Sequence, residues 1–570
     1  MAKRRKKIKL IKPNKSVVAI VIVAILGVAT GLAAIALSDS GRAPAAGKTG
    51  AANANEKSSL TSNGNGSVAA AGSNNFNIRA AGYSPKTRSP KIAISSPVRT
   101  REIGAAGKAI DTILREIEST APKKKGGVRP NAQTAFRAEA LADGAVVTSH
   151  RSDQLLSGAS NVKLFTTAAA LLRLGPEFRF ETRFVSDANL SDGVLKGDLW
   201  IIGGGDPTLT SQNGWCQGGA HGALMRAAAQ LINQGIRRID GAIVLDDRFF
   251  TDAAYHPGWP SRDRGRSHAI DISALCVERH RIEVTARANG NDVSVETDPP
   301  LAGWELDKNI SVVSKNAAKG IVARIDGNSI RVSGTIAAGS ADTTSFFILD
   351  GPELFGAVAL SAFQNCNITV SGGYRKVGLL ENAPRRVFVR LQSPATLAEV
   401  VKVTNRESDN LYADMLLKVL GAKCKGEGTF AAGIDAVRET LQNLGVPSAG
   451  FAAVDGSGLA RDSKISPAAT VALLQAMAET PVFDIYKDSL AVGGEPDGTL
   501  RKRFREPMYR GRIHAKTGSI DGATALSGYA DAAGGETFAF SCITNYTEFG
   551  GTFKPDEDRC ISEIIKIRSK

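Results

Sequence analysis

The sequence predicts a mixed α/β (α+β) body that is interrupted by strand-rich inserted domains and preceded by a transmembrane helix. Long helical patterns on both sides of a middle region of short strands predict the interrupted body. An uncharged run of 22 residues near the N-terminus predicts the membrane helix. Short polar motifs at the borders of predicted helices and strands indicate that the body carries chemistry.

The N-terminal segment separates a basic end from the rest of the chain. Of the formal net charge of +15, eight positive charges lie in residues 1–15. Residues 16–37 carry no charge and are long enough to cross a bilayer as one helix. The basic flank predicts a cytoplasmic N-terminus and a catalytic part outside the cytoplasm, on the periplasmic or cell-wall side. A cleaved signal peptide is the alternative, but its apolar region would span only about 7–15 residues.

The remainder of the chain is mildly basic and has no basic patch interleaved with aromatic residues, so nucleic-acid binding is not predicted. The six cysteines form no CxxC pair and the six histidines are scattered. Neither a metal site nor another cofactor is therefore predicted. Outside the cytoplasm the even number of cysteines is compatible with disulfides, and buried free thiols are the alternative.

Composition divides the chain into a linker and a discontinuous folded part. Residues 38–103 are rich in Ala, Gly, Ser and Asn and are predicted to be a flexible linker. We expect residues 104–190 and 385–570 to form one catalytic domain. Residues 191–384, where short strands alternate with turn residues, are expected to form inserted domains.

Hydrophobic periodicity predicts the individual elements of the folded part. In chain order they are a helix at 109–120, a strand at 140–148, a helix at 158–175 ended by Gly175, strands within 195–209 and 235–250, short strands from 290 to 380 with a helix at 352–365, helices within 393–421, 430–446 and 466–479, a β-hairpin at 526–545 and a C-terminal helix.

Lys163 does not fit the helix predicted at 158–175. It stands near the start of that helix, where the macrodipole disfavours a cation, and just ahead of an apolar run. Ser160 precedes it by three residues, so the hydroxyl and the amine lie on the same helix face. A partly desolvated lysine has a lowered pKa, and its neutral amine can take the proton of a serine nucleophile. The S-x-x-K pattern therefore predicts a catalytic pair.

Two further motifs belong to the same chemistry. S-D-N at 408–410 lies between helical patterns, and K-T-G at 516–518 lies on a predicted strand before the β-hairpin. Both accompany S-x-x-K in serine acyl-transfer sites. Each is weak alone, since K-T-G also occurs at 48–50 in the predicted linker. Their order and their positions at element borders make the combination specific.

Longer stretches accompany these motifs and make the chain resemble a known family. They are LGPEFRFET, GGGDPTL, PGW at 257–259, DGSGLARDSKISP at 455–467, DGTLRKRF at 497–504 and AKTGSIDGATALSGY. From about residue 105 to its end the chain resembles the low-molecular-mass class C penicillin-binding proteins, the D-alanyl-D-alanine carboxypeptidase/endopeptidases of peptidase family S13. The interval of 248 residues between Ser160 and Ser408 is similar to that family's insertions. The resemblance implies a β-lactamase/DD-peptidase-like transpeptidase fold.

The resemblance also implies catalytic roles for the matching positions. Ser160 would attack the penultimate D-Ala carbonyl to form an acyl-enzyme, with Lys163 as its base. Ser408, held by Lys516, would pass the proton to the leaving amine. The backbone N–H groups of Ser160 and Ser519 would form the oxyanion hole.

A second group of matching positions implies substrate binding. Asn410 would bind a backbone amide of the stem peptide. Lys516 and Thr517 would bind its terminal carboxylate through charge-assisted hydrogen bonds. Gly518 and Ser519 belong to the same substrate-binding strand. The implied partners are peptidoglycan stem peptides, β-lactams as covalent inhibitors, and the membrane through residues 16–37.

Three positions carry less specific signals. Asp246 and Arg461 match family positions near the side chain of the substrate's third residue, and a turn carboxylate and a surface arginine are the alternative interpretations. Asp414 stands where the family usually has Glu, which we expect to affect helix packing more than chemistry. In addition, Gly-Ala-Ser replaces the commoner Pro-Ala-Ser at the nucleophile.

Two alternative functions stay open on the sequence. A β-lactamase-like hydrolase would need a base for rapid deacylation, and Glu439 with Asn443 superficially matches the E-x-x-x-N pattern of such enzymes. The amphipathic pattern around Glu439 instead predicts a solvent-facing position. A non-catalytic, membrane-tethered wall-binding protein is the other alternative. The sequence does not separate carboxypeptidase from endopeptidase activity.

Overall fold

The structure is a computed structural model of the chain, and it describes residues 97–119, 131–547 and 552–568. The predicted basic segment (1–15), the predicted membrane anchor (16–37) and the predicted linker up to residue 96 lie outside the described residues. In the part of the chain that is described, none of the helices has both the length and the apolar character needed to cross a bilayer.

Ten helices with more than one turn are described. They are α1 (Pro97–Ser119), α2 (Val162–Leu174), α3 (Gly219–Asn233), α4 (Gly351–Asn365), α5 (Leu397–Arg406), α6 (Asn410–Lys425), α7 (Phe430–Asn443), α8 (Pro467–Ala478), α9 (Phe483–Asp488) and α10 (Lys554–Ile565).

The strands fall into three groups along the chain. The first group is β1 (Ala132–Ala140), β2 (Val146–His150), β3 (Leu156–Ser157), β4 (Glu181–Val185), β5 (Leu190–Ser191), β6 (Val194–Leu195), β7 (Leu199–Ile202), β8 (Arg238–Ile239) and β9 (Ile243–Asp246). The second is β10 (Arg281–Asn289), β11 (Asp292–Asp298), β12 (Glu305–Val313), β13 (Gly320–Asp326), β14 (Ser329–Ala337), β15 (Ala341–Phe347), β16 (Thr369–Val370), β17 (Tyr374–Lys376) and β18 (Val387–Gln392). The third is β19 (Phe451–Ala452), β20 (Lys464–Ile465), β21 (Ala491–Val492), β22 (Ile513–Ile520), β23 (Ala523–Asp531) and β24 (Thr537–Tyr546).

An antiparallel six-stranded sheet of order β2-β1-β24-β23-β22-β21 forms one wall of the catalytic body. Successive side chains of the central strand β24 point to opposite sides of the sheet. Seven consecutive residues of this strand are buried, so both of its faces are covered. Phe538 and Phe540 pack with α1 and α10, whereas Ala539 and Ile543 belong to the core of the helical layer. The sheet is therefore a middle layer between two helical layers.

Helix α2 lies at the centre of the second helical layer, where it packs against α5, α6 and α7. The helix is buried on all sides, and its large apolar side chains, such as Phe165 and Leu172, belong to the surrounding hydrophobic core. The helix ends at Gly175, whose φ of 84° suits a residue without a Cβ. The predicted C-cap is confirmed, and the helix places its N-terminus beside the sheet.

The inserted region has its own hydrophobic core. Helices α3 and α4 pack together there, and its largest sheet has the order β17-β9-β7-β4-β18. Strands β4 and β18 lie just outside the predicted limits of 191–384, so the sheet extends beyond that range. Helix α3 has no counterpart among the predicted elements.

Two other features differ from the expectation. Helix α1 begins at Pro97, so residues 97–103 are helical and not part of a linker. The single strand expected at 140–148 is instead the last residue of β1, a turn in which Gly144 has a φ of 77°, and the first residues of β2. All six cysteines are free thiols, which is the alternative to disulfides that the sequence left open.

Candidate active site

The nucleophile lies in a tight turn at the N-terminus of α2. Ser160 belongs to a 3₁₀ turn, and Ala159 before it has a φ of 45°. Two glycines allow the surrounding backbone to approach this turn closely. A Cβ at Gly458 would lie 1.9 Å from the carbonyl oxygen of Ala159, and one at Gly518 would lie 2.6 Å from that of Gly158. The turn is therefore held between the loop after β19 and strand β22.

Lys163 lies one turn into the helix and is completely buried. Its Nζ donates hydrogen bonds to Ser160 Oγ (2.9 Å), Asn410 Oδ1 (2.6 Å) and the carbonyl oxygen of Ser457 (2.8 Å). Burial lowers the pKa of Lys163 to about 8. The nearby carboxylates of Asp414, Asp455 and Asp409 oppose that shift. The amine can therefore exist uncharged near neutral pH while it contacts the nucleophile.

The S-D-N motif forms the sharp connection between α5 and α6. Ser408 has a φ of 64°, which L side chains rarely adopt, and its Oγ accepts a hydrogen bond of 2.7 Å from Lys516 Nζ. Asn410 begins α6, and its Nδ2 donates to the carbonyl oxygen of His268 at 2.8 Å. Asn410 also accepts from Lys163, so it bridges the nucleophile helix and the loop before β10.

Strand β22 supplies the second lysine. Lys516 is fully buried, and burial together with the charge of Lys163 places the pKa of Lys516 well below its ordinary value. Its neighbour Thr517 donates through Oγ1 to Thr499 Oγ1 at 2.9 Å. Strand β21 pairs only with the beginning of β22, at His514 and Ala515. The edge of β22 from Lys516 to the exposed Ser519 therefore has no partner strand among the described residues.

The structure thus brings the three motifs together. Hydrogen bonds connect Ser160 to Lys163, Lys163 to Asn410 and Lys516 to Ser408. The pairing of Ser408 with Lys516 across 108 residues agrees with the role that the resemblance implies for it.

Asp246 and Arg461 each contact a residue of opposite charge. Asp246 ends β9, and Arg248 donates to both of its carboxylate oxygens, at 2.9 and 2.8 Å. Arg461 lies 4.0 Å from Asp521, at the turn that follows β22. The described contacts of Asp246 do not include any of the three motifs, and its role toward the substrate stays a prediction, as does that of Arg461.

Glu439 is engaged at the opposite end of the nucleophile helix. Its carboxylate accepts from Arg173 (3.1 Å) and Lys425 (3.0 Å). Arg173 is ten residues beyond Lys163, which is about 15 Å along a helix axis. This position gives Glu439 no access to an acyl group on Ser160.

The carboxylate beneath Lys163 belongs to Asp414, for which the sequence predicts a role mainly in helix packing. Asp414 Oδ1 accepts from the backbone N–H groups of Gly456 (2.8 Å) and Ser457 (3.1 Å), the segment whose carbonyl holds Lys163. Asp414 therefore bears on the base itself and not only on helix packing, contrary to expectation. The signal lay in the stretch DGSGL at 455–459, which contributed to the family resemblance without a role of its own.

Comparison with known proteins agrees with this arrangement. The sequence profile of the D-Ala-D-Ala carboxypeptidase 3 (S13) family matches residues 124–561. The chain belongs to this family. The resemblance inferred from the motifs is thus confirmed, and with it a serine-type carboxypeptidase as the class of enzyme.

Among S13 relatives, a D-alanyl-D-alanine carboxypeptidase of Actinomadura sp. (strain R39) is 31% identical over 472 residues, covering 80% of this chain and 83% of that protein. The D-alanyl-D-alanine carboxypeptidase DacB of Haemophilus influenzae is 26% identical and covers 72% of this chain and 85% of that protein. The crystal structure of penicillin binding protein 4 (dacB) from Haemophilus influenzae superimposes with a TM-score of 0.64 at 22% identity, covering 81% of this chain and 99% of that one. This match confirms the mixed α/β fold.

Proposed function

We propose that this S13 chain is a penicillin-binding serine D-alanyl-D-alanine carboxypeptidase that acts on peptidoglycan stem peptides through an acyl-enzyme on Ser160. The hydrogen bond of 2.9 Å between Lys163 Nζ and Ser160 Oγ carries the proposal. Burial lowers the pKa of that lysine to about 8, so its neutral form is available as a base. The names of the two carboxypeptidase relatives support the substrate class.

Acylation begins when Ser160 Oγ attacks the carbonyl carbon of the penultimate D-Ala and its proton passes to Lys163 Nζ. The carbonyl oxygen then becomes an oxyanion. Backbone N–H groups of Ser160 and Ser519 are the donors proposed to stabilise it. Ser160 stands at the N-terminus of α2, where the helix dipole also favours negative charge.

Collapse of the tetrahedral intermediate breaks the C–N bond, and the electron pair stays on the leaving nitrogen. Ser408 Oγ gives its proton to that nitrogen and takes up the one held by Lys163, so terminal D-Ala leaves as a neutral amine. Water then attacks the ester on Ser160 while Lys163 accepts the water's proton and returns one to Ser160 Oγ. The shortened peptide leaves with a new carboxyl group.

Substrate binding uses the unpaired edge of β22. A stem peptide can lie along that edge as an additional strand, with its terminal carboxylate between Lys516 and Thr517. Asn410 Nδ2 contacts the His268 carbonyl in the structure, and the substrate amide would replace that contact. Asp246 and Arg461 remain candidates for contact with the third residue of the stem.

The proposal is tested by covalent labelling with a fluorescent penicillin and by release of D-Ala from a peptide that ends in D-Ala-D-Ala. We expect wild type to do both and Ser160→Ala to do neither. The exposed Ser448 provides a matched control, and Ser448→Ala should behave as wild type. Rapid penicillin turnover in place of a long-lived acyl-enzyme would favour the β-lactamase alternative. Absence of both reactions in wild type would favour a wall-binding protein.

Two finer points need their own measurements. Digestion of purified cross-linked peptidoglycan, with identification of the products, separates trimming of terminal D-Ala from cleavage of cross-links. We also propose that residues 16–37 hold the chain at the membrane with its catalytic part outside the cytoplasm. Membrane fractionation of the full chain and of a chain lacking residues 1–37, together with protease accessibility in intact cells, tests that topology.

A further inference from the structure

Arg279, which belongs to the inserted region, reaches into the S-D-N motif of the catalytic domain. Its guanidinium forms an ion pair with the Asp409 carboxylate, and both side chains are largely buried, at 15% and 8% exposure. The same guanidinium lies over the ring of Tyr412, 5.0 Å from the ring centre. Asp409 lies just before the first turn of α6 and Tyr412 lies within it, so one side chain of the insert contacts the start of that helix at two residues.

The backbone around Arg279 is held in a rare conformation. Glu278, Arg279 and His280 have φ values of 44°, 57° and 58°, three consecutive L residues in the left-handed region. Such a turn persists only when its surroundings determine it, and it is often found at functional sites. Its direction is what aims Arg279 out of the insert toward Asp409.

The insert fixes this turn from both sides. Glu278 accepts hydrogen bonds from the backbone N–H groups of Ser211 (2.9 Å), in the segment between β7 and α3, and Ala220 (2.6 Å), in the first turn of α3. The carbonyl oxygen of His280 accepts from Ile348 N at 2.7 Å, and the His280 side chain is fully buried. The backbone of Arg279 is therefore fixed by the core of the insert, and Arg279 is not a freely moving surface residue.

Asp409 stands between the two catalytic members of its motif. Its carboxylate caps α6 by accepting from Tyr412 N at 3.0 Å. Ser408 on one side is in a strained conformation, and Asn410 on the other side contacts Lys163. A shift of Asp409 would move the Ser408 hydroxyl away from the leaving group.

We propose that Arg279 is a positioning residue supplied by the inserted domain, which holds Asp409 so that Ser408 can protonate the leaving amine. The inference rests on the proposed function, because it assigns the insert a part in that reaction. An amide nitrogen must receive a proton from Ser408 as the C–N bond breaks. A thioester of the same acyl group leaves as a thiolate, which needs no proton. Loss of Arg279 should therefore harm amide cleavage more than thioester cleavage.

The test compares kcat/KM for a D-Ala-D-Ala peptide and for a thioester with the same acyl group. In Arg279→Met we expect the amide rate to fall about 100-fold and the thioester rate at most about tenfold, in the range of lost general-acid catalysis. Arg281, two residues away and paired with Glu283 on the same strand, gives the matched control Arg281→Met, whose ratio of rates should equal that of wild type. Partial unfolding lowers both rates equally, so it leaves the ratio unchanged.

Asp409→Asn keeps a helix-capping oxygen but removes the ion pair. It should lower the ratio as Arg279→Met does, and the double variant should lose no more than either single one. Millimolar guanidinium should partly restore amide cleavage in Arg279→Met. A ratio that stays at the wild-type value in both single variants overturns this inference alone. A wild type that cleaves neither substrate overturns the proposed function and the inference with it.

Discussion

Asp414 and Lys163 are joined through a single backbone segment. Asp414 Oδ1 accepts from the N–H groups of Gly456 and Ser457, and the Ser457 carbonyl oxygen accepts from Lys163 Nζ at 2.8 Å. The other carboxylate oxygen of Asp414 is buried and has no hydrogen-bond partner among the described residues. Burial raises the pKa of Asp414 to about 8 and lowers that of Lys163 to about 8, while the attraction between the carboxylate and the ammonium opposes both shifts. The balance between the two sets the pH at which the base becomes active.

The first prediction concerns the pH dependence of acylation. At pH values below the Lys163 pKa of about 8, the amine is protonated and cannot accept the Ser160 proton. The rate constant for acylation by a β-lactam should therefore rise about tenfold per pH unit up to that region and then level off. Stopped-flow labelling between pH 5.5 and 9.5 measures it, with circular dichroism to confirm that the fold persists. An acylation rate constant that does not change with pH would show that Lys163 is not the base.

The second prediction concerns Asp414. Asp414→Asn keeps an oxygen that can accept from Gly456 and Ser457 but removes the carboxylate, whose own pKa burial raises to about 8 and which stabilises protonated Lys163 when it is ionised. The acidic limb of the acylation profile should therefore move to lower pH, by at most about one unit. The exposed Asp462 gives the control Asp462→Asn, which should leave the profile in place. A reduced rate with an unshifted limb would mean that Asp414 acts only through packing.

The sequence predicts the parts of the site that lie within one motif. Ser160 and Lys163 are one helical turn apart, so their contact follows from helix geometry. The contact of Lys516 with Ser408 spans 108 residues and was expected only because both motifs belong to one type of site. No motif predicts the contacts of Asp414 and Arg279. Their partners are determined by tertiary packing and, for Arg279, also by a left-handed backbone conformation.

The fold shows the same division. Helices with large apolar side chains at regular spacing, such as α2 and α7, are confirmed where the pattern predicts them. Helix α3 was missed because its stretch GAHGALMRAAAQLIN is rich in Ala and Gly and has few large apolar residues to mark a face. The sequence predicts one strand in place of the β1–β2 hairpin because apolar residues flank the Asp-Gly turn signal at 143–144 on both sides.

The third prediction concerns proton uptake by Lys516. Burial, and next the charge of Lys163, place the pKa of Lys516 well below its ordinary value. A bound carboxylate favours the charged amine, so binding an anionic peptide should draw up to about one proton from solution at pH values where the free amine is neutral. Calorimetry of the inactive Ser160→Ala variant in two buffers of different ionisation enthalpy counts these protons.

Two controls separate this effect from other titrations. The same peptide with an amidated C-terminus should bind more weakly and without proton uptake. Lys516→Met should abolish uptake with the acidic peptide. Equal uptake with both peptides would place the titrating group elsewhere in the site.

The last prediction separates backbone strain from steric contact at the nucleophile turn. Gly458 has a φ of 76°, and a Cβ there would lie 1.9 Å from the Ala159 carbonyl oxygen. Gly445 has a similar φ of 70°, but a Cβ added there would meet no atom within 4 Å, so it is a matched control. Gly445→Ala should lower the free energy of unfolding by about 1–2 kcal/mol, the strain of a left-handed residue, and leave acylation unchanged.

Gly458→Ala carries the same strain and must also push Ala159 away. Its free energy of unfolding should fall further, and the acylation rate of its folded fraction should fall at least about tenfold, because Ser160 moves relative to Lys163. Chemical denaturation and penicillin titration of active sites measure the two quantities. Equal behaviour of the two variants would show that the turn tolerates displacement, contrary to the close contact described.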